Sequence, residues 1–234
     1  MKNKKLITKS EFVRLRIDAV EKNRLDRLCS ITRRQKSDIV REGLFELYKL
    51  KLNKKIKFLT NRFELKIIQP YLIGTDFDLL WESKRIEHRC LLADRSSELL
   101  KWHFSKEEFK THIVCCYEQG SLIGYLAVAK LKNGKTDFLR HVIIDLIVLN
   151  NSKLAIEFLL AAAYKFSRSE KVVSLELLGF SEEVREVVKD MKALGRKSFP
   201  TPFTYKLVNK QLPVDLFTQK STWYPSLFDG DSSL

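Results

Sequence analysis

The sequence has few of the residues that build disulfide frameworks or glycine-rich loops. Its 234 residues include only 4 cysteines, 5 prolines and 8 glycines. Four irregularly spaced cysteines fit neither a disulfide-rich secreted domain nor a Cys-x-x-Cys metal site, so we expect reduced core cysteines. No glycine-rich nucleotide loop, Ser-His-Asp arrangement or paired-histidine motif is present, and we therefore predict no metal site.

Long apolar runs are also missing. None approaches the roughly 20 residues that a bilayer-spanning helix needs, and no signal-type apolar stretch follows the basic N-terminus. Hydrophobic residues nevertheless make up 44% of the chain and aromatic residues 11%, enough for one large core or two smaller ones. We therefore expect a folded cytoplasmic protein with no membrane partner, and not a disordered chain.

Positive charge is plentiful and is concentrated in the first quarter of the chain. The net charge is +14; residues 1–60 contain 18 Lys or Arg against 7 Asp or Glu, whereas residues 61–234 contain 25 against 22. Such asymmetry indicates that the N-terminal segment meets a polyanion such as nucleic acid. A solvated, solubilising surface is the alternative interpretation of a charge run.

The first ordered pattern in the sequence is a short strand. Residues 11–18 alternate polar and apolar side chains, so Phe12, Arg14 and Arg16 share one face of the predicted strand. An unpaired strand cannot bury its own apolar side, and these residues have no second strand nearby in the sequence. The pattern therefore predicts a homodimer in which two copies pair as an antiparallel ribbon. The alternative is that the two arginines only protect a strand edge from aggregation.

Two amphipathic segments follow the strand. Residues 18–32 begin with a capping aspartate and predict a helix, residues 33–36 form a basic turn, and residues 37–51 begin with a capping serine and predict a second helix. The order is strand, helix, basic turn, helix.

This order resembles the ribbon-helix-helix DNA-binding proteins of the Arc and CopG type, over about residues 10–50. The sequence departs from that family at Arg33, where glycine is usual, and at Asp18, where proline is frequent. The resemblance implies a ribbon that reads bases in the major groove and helix-start amides that hold a phosphate. The DNA-binding residues that it implies are Phe12, Arg14, Arg16, Arg34, Lys36 and Ser37.

The rest of the chain predicts a larger domain with a mixed sheet. We assign residues 1–50 to the ribbon-helix-helix domain, 51–62 to a linker and 63–234 to an α/β domain, which makes the whole a multidomain α+β protein. Periodicity predicts strands at 63–70, 111–117, 121–132, 138–149, 172–178, 203–209 and 223–228, and helices at 76–88, 96–104, 152–169 and 181–193.

The motifs of the larger domain resemble the GNAT acyltransferase fold, and in particular the bacterial GNAT-like proteins associated with polysaccharide biosynthesis. Four segments carry the resemblance: Asp-Phe-Asp-Leu-Leu-Trp at 76–81, an Arg-led helix at 95–104, Leu-Ile-Gly-Tyr at 122–125, and a late Trp followed by Asp-Gly-Asp at 223–231. The resemblance covers most of residues 63–234.

The resemblance also implies a glycine-containing loop that holds the CoA diphosphate before the central helix, and this chain departs from it. Residues 149–154 contain no glycine, so only Asn151, Ser152 and Lys153 are candidate cofactor-binding residues. Asp145, a carboxylate in an apolar strand, is either a general base with a raised pKa or a structural aspartate bonded to the backbone. We assign no catalytic residue.

These observations predict a dimeric, sequence-specific transcriptional regulator that binds double-stranded DNA and carries a non-catalytic GNAT-like sensor or interaction domain, with no cofactor. The alternative is an N-acyltransferase that uses acetyl-CoA or another acyl-CoA and carries a DNA-binding arm. A third interpretation makes the larger domain a purely structural oligomerisation unit.

Overall fold

A computed structural model describes residues 19–36, 38–40, 43, 59–87, 93–106, 110–132, 138–191, 223 and 226–229. The chain divides into two compact units, residues 1–53 and residues 54–234. Leu59, which falls in the predicted linker, is buried in the core of the second unit.

The first unit contains helix α1, Ala19–Thr32, which confirms the helix predicted at 18–32. None of the residues of α1 is buried, and the apolar side chains of Val20, Leu28 and Ile31 are 58%, 46% and 70% exposed. Residues 38–40 and 43 are also helical, where the second helix is predicted, and so is Lys36, which the prediction places in the basic turn. The predicted strand at 11–18 lies outside the described residues.

The second unit is built on a five-stranded sheet whose strands lie side by side in chain order. The first four strands pair antiparallel, and the fifth runs parallel to the fourth. The strands are β1 (Glu64–Ile68), β2 (His112–Glu118), β3 (Ser121–Lys132), β4 (Leu139–Val148) and β5 (Ser174–Leu177).

Helices cover both faces of this sheet, and each face has its own apolar core. One core joins the sheet to α4 and α5, and the other joins it to α2, α3 and the segment around Phe228. Because alternate strand residues point to opposite faces, a strand that is buried on both sides is mostly apolar, as β4 is over residues 142–148 apart from Asp145. The helices are α2 (Thr75–Glu87), α3 (Ser97–Phe104), α4 (Lys153–Ser169) and α5 (Glu182–Asp190).

These elements confirm most of the predicted ones, including the β2–β3 hairpin. Its turn places Gln119 and Gly120 at φ 51° and 80°, the left-handed conformations of a tight hairpin turn. The strand predicted at 223–228 is wrong at its end, because Leu227–Asp229 form a 3₁₀ turn, whereas Trp223 lies in a β-bridge. There the backbone N–H of Phe228 donates to Ser226 Oγ at 3.2 Å, a local bond typical of a turn and not of a sheet ladder. The strand predicted at 203–209 lies outside the described residues.

In the part of the chain that the structure describes, no helix combines the length and the apolar character that crossing a bilayer requires.

Candidate active site

The sheet opens between β4 and β5. The two strands pair only from Arg140 with Ser174 to Ile143 with Leu177, while β4 continues to Val148. Beyond that point, no described strand pairs with β4 on its β5 side. The opening therefore lies at the carboxyl ends of two parallel strands, the edge at which ligands bind in sheets with helices on both faces.

A bulge in β4 lies at the beginning of this opening. Ala127 of β3 is opposite Asp145, but the next residue, Val128, is opposite Ile143, so Ile144 is an extra residue in β4. A bulge of this kind interrupts the ladder and changes the direction of neighbouring side chains.

Gly124 brings β3 unusually close to β4 near the end of the opening. A Cβ atom at this position would lie 2.8 Å from the carbonyl oxygen of Ile147 and 2.9 Å from Cγ2 of Val148. A residue with a side chain would have to push the two strands apart. The glycine of the Leu-Ile-Gly-Tyr segment is therefore explained by packing.

Asp145 is the centre of a buried polar network. Its side chain is fully buried, and that of Arg95 is 1% exposed. Arg95 donates from Nε to Oδ2 at 3.0 Å and from Nη2 to Oδ1 at 3.2 Å, a two-pronged ion pair. Tyr125 donates to Oδ2 at 2.6 Å and Ser226 donates to Oδ1 at 2.9 Å. Both oxygens of Asp145 therefore accept hydrogen bonds, which favours its structural interpretation over that of a general base, although the donors are side chains and not the backbone groups that were predicted.

The two aspartates of the Asp-Phe-Asp segment also have structural partners. Asp78 on α2 accepts from the backbone N–H and the hydroxyl of Ser97, at 2.7 and 2.8 Å, and so holds the first turn of α3. Asp76 accepts from the hydroxyl of Tyr117 at 2.7 Å. Burial and this hydrogen bond raise the pKa of Tyr117, so it is a neutral donor.

The three candidate cofactor-binding residues lie together between β4 and α4, and each has a partner within the protein. Asn151 Oδ1 accepts from Lys84 Nζ at 2.8 Å. Ser152 caps α4, with its Oγ 3.5 Å from the N–H of Ala155. Lys153 Nζ is 2.6 Å from a carboxylate oxygen of Glu186, which raises the pKa of Lys153.

Two residues at this turn, Lys84 and Glu87 of α2, were not predicted from the sequence. Lys84 Nζ donates to the carbonyl oxygen of Val148 at 2.7 Å and lies 3.1 Å from Glu87 Oε2. The same Glu87 oxygen accepts from the backbone N–H of Asn150 at 2.7 Å. One sequence signal points to Lys84: it follows the buried residues Phe77, Leu80 and Trp81 at helical spacing, on the apolar side of α2.

Among the predicted DNA-binding residues, the structure describes Arg34 and Lys36, which follow α1. Lys36 forms an ion pair with Asp26 of α1, and that hydrogen bond raises the pKa of Lys36. The other four, Phe12, Arg14, Arg16 and Ser37, lie outside the described residues.

A buried histidine lies in the part of β4 that pairs with β5. His141 Nδ1 is 2.8 Å from Ser167 Oγ, and its ring stacks on Phe166. Burial, followed by the charge of Lys130, lowers the pKa of His141 to about 4, so the ring is neutral at pH 7. No three His, Cys, Asp or Glu side chains converge as metal ligands within the described residues.

Comparison with known proteins finds similarity in structure only. No family model and no curated protein matches the sequence. An aminoglycoside acetyltransferase from an uncultured soil metagenomic sample is 14% identical over 64% of this chain and 99% of its own, with a TM-score of 0.48. A ribosomal-protein-alanine N-acetyltransferase from Brucella melitensis biovar Abortus 2308 is 12% identical over 60% and 99%, at 0.46. A GNAT family acetyltransferase from Staphylococcus aureus is 15% identical over 62% and 99%, at 0.42.

Proposed function

We propose that the second unit is a GNAT-type acyltransferase domain that binds an acyl thioester in the opening between β4 and β5. The observation that carries this proposal is the divergence of the two parallel strands after Ile143 and Leu177, next to the bulge at Ile144. An opening at the carboxyl ends of adjacent parallel strands, with a helix beginning directly after one of them, is a typical ligand position.

An extended thioester arm suits this opening because it can lie alongside a strand edge. The amide groups of a pantetheine-type arm can form main-chain hydrogen bonds with β4 beyond residue 143, as an added strand would. In the reaction, the acceptor amine attacks the thioester carbonyl, a C–N bond forms, the C–S bond breaks, and the thiol leaves with the proton that the amine loses. Asp145 has no role as the base in this scheme, because Arg95, Tyr125 and Ser226 occupy its oxygens.

Calorimetry with acetyl thioesters tests the binding step. Leu178 lies directly after β5 beside the opening, and Val173 lies directly before β5 at its other end; both side chains are exposed. We expect Leu178→Trp to weaken thioester binding by about 10-fold or more, which corresponds to at least about 1.4 kcal/mol. Val173→Trp is the matched control and should bind as the wild type does. Absence of heat with millimolar thioester for the wild type would contradict the proposal.

The first unit supports a second function, the binding of double-stranded DNA by a homodimer. Two observations favour it: the concentration of positive charge in residues 1–60, and the exposure of Val20, Leu28 and Ile31 on α1, an apolar surface of the kind that a second copy buries. In this function Arg14 and Arg16 read guanine edges, and the turn at Lys36 holds a phosphate.

Selection of bound sequences from random DNA, followed by anisotropy titrations, tests this second function. Arg14→Ala and Arg16→Ala should each cost about 1–3 kcal/mol on the selected site and relax its sequence preference, whereas Lys36→Ala should weaken all sequences alike. Unchanged affinity of both arginine variants would refute the ribbon assignment. A protein that bound DNA but no thioester would match the regulator with a non-catalytic domain.

A further inference from the structure

The turn between β4 and α4 has an unusual backbone. Asn150 and Asn151 are consecutive residues with φ of 54° and 45°, both in the left-handed region. Asparagine is among the few residues that adopt this conformation readily. The two residues turn the chain sharply from the strand into the helix, and the turn directs the backbone N–H of Asn150 toward α2.

This N–H group already donates a hydrogen bond to a carboxylate of the protein. Glu87 Oε2 accepts from the N–H of Asn150 at 2.7 Å, and the side chain of Glu87 is only 14% exposed. Lys84, whose side chain is 1% exposed, fixes the position of Glu87 and of the turn. Its Nζ donates hydrogen bonds to Glu87, to the carbonyl oxygen of Val148 and to the side chain of Asn151. The end of α2 is thus joined to the end of β4 and to the beginning of α4.

Amide groups at a strand-to-helix turn are the usual binding position for phosphate groups. Here that position contains a negative charge that belongs to the protein. A ligand diphosphate at the same turn would have to displace Glu87 from Asn150 and would lie close to its carboxylate. Like charges at such short range, away from bulk water, oppose each other strongly. The buried ammonium of Lys84 is engaged with acceptors of the protein and lies beneath the turn.

We propose that Glu87 is a specificity-determining residue that excludes a diphosphate from the β4–α4 turn, so that the domain takes pantetheine-type acyl thioesters without using the nucleotide part of CoA. This inference rests on the proposed function. In this inference the protein contacts the acyl donor only through its pantetheine arm, in the opening. The nucleotide diphosphate of CoA is not bound by the protein.

Calorimetry on the full chain with acetyl-CoA and acetyl-pantetheine tests the inference. For the wild type we expect the two dissociation constants to agree within about 3-fold. Glu87→Gln keeps an oxygen for Asn150 but removes the charge; we expect it to tighten acetyl-CoA binding by about 10-fold or more and to leave acetyl-pantetheine binding within about 2-fold. Glu82→Gln, an exposed change on the same helix, is the control and should alter neither constant.

The possible results separate this inference from the function on which it rests. Wild-type binding of acetyl-CoA more than about 10-fold tighter than acetyl-pantetheine would overturn the inference and leave the proposed function standing, even if Glu87→Gln did not fold. An unchanged acetyl-CoA affinity in a folded Glu87→Gln protein would also overturn it. If neither thioester bound the wild type, the proposed function would fall, and the inference with it.

Discussion

Replacing Asp145 by asparagine is the most demanding test of the buried polar network. The change preserves the shape of the side chain but removes its negative charge, which leaves the guanidinium of Arg95 without its ionic partner. Arg95 is 1% exposed, so water cannot take over the role of the carboxylate. Its remaining contacts include the carbonyl oxygen of Ala93 at 2.8 Å, Ser226 Oγ at 3.2 Å and the ring of Phe228, 4.7 Å from the guanidinium carbon.

The size of the effect follows from the cost of an uncompensated buried charge. Breaking a buried ion pair by removing one partner destabilises a protein by roughly 3–5 kcal/mol. Whole domains are stable by only about 5–15 kcal/mol, so a large share of the stability of the second unit would be lost. For a unit of this size, the midpoint of thermal unfolding should fall by roughly 6–20 °C.

Thermal and urea unfolding, followed by circular dichroism, measure this loss. Glu182→Gln removes one partner of an exposed ion pair with Arg185 on α5 and is the control, because exposed pairs contribute little to stability. The double change Arg95→Met with Asp145→Asn removes both charges and should be less destabilising than Asp145→Asn alone. If Asp145→Asn unfolded at the same midpoint as the control, the account of Asp145 as a structural ion-pair partner would be refuted.

Two further predictions concern stability. The pKa of His141 is lowered to about 4 in the folded protein, from an ordinary value of 6.5. Between these two pH values the unfolded chain binds a proton at His141 that the folded chain does not bind. The free energy of unfolding should therefore decrease as the pH falls from about 6.5 to about 4. Asparagine at this position, which cannot titrate, should make urea midpoints less dependent on pH across that window, and an unchanged slope would contradict the assignment. Gly124→Ala should destabilise by about 1–3 kcal/mol in urea unfolding because its Cβ would lie 2.8 Å from a β4 carbonyl oxygen. Equal midpoints for the wild type and Gly124→Ala would count against the packing explanation.

The order of elements in the second unit could be predicted because the sheet is buried on both faces. The nearly continuous apolar stretch at 142–148, interrupted only by Asp145, excludes most alternatives to a central strand, and a serine directly before an amphipathic stretch marks the beginning of α4. The end of the segment at 223–228 was predicted wrongly because its aromatic residues also fit a strand. Its actual form depends on hydrogen bonds between Ser226 and residues more than 80 positions earlier in the chain.

The candidate site could be located from the sequence only in part. The missing glycine marked the β4–α4 turn as unusual, and Asn151, Ser152 and Lys153 do lie there. The roles of Lys84 and Glu87 could not be predicted, because they depend on contacts with main-chain groups of Val148 and Asn150, more than 60 residues away. A local sequence pattern contains no information about which carbonyl or amide a distant side chain will reach.

Three residues of the segments that carry the resemblance to GNAT-like proteins have structural contacts in this chain. Asp78 holds α3 through Ser97, Asp76 holds β2 through Tyr117, and Arg95 joins β4 to the segment at Ser226. Each connects elements that are distant in sequence, so such motifs predict a fold and say little about chemistry. Whether the fold performs acyl transfer is therefore decided elsewhere, at the opening between β4 and β5 and at the turn that Glu87 occupies. Those are the two places where a thioester arm and its anionic end would have to be accommodated, and they respond to different substitutions.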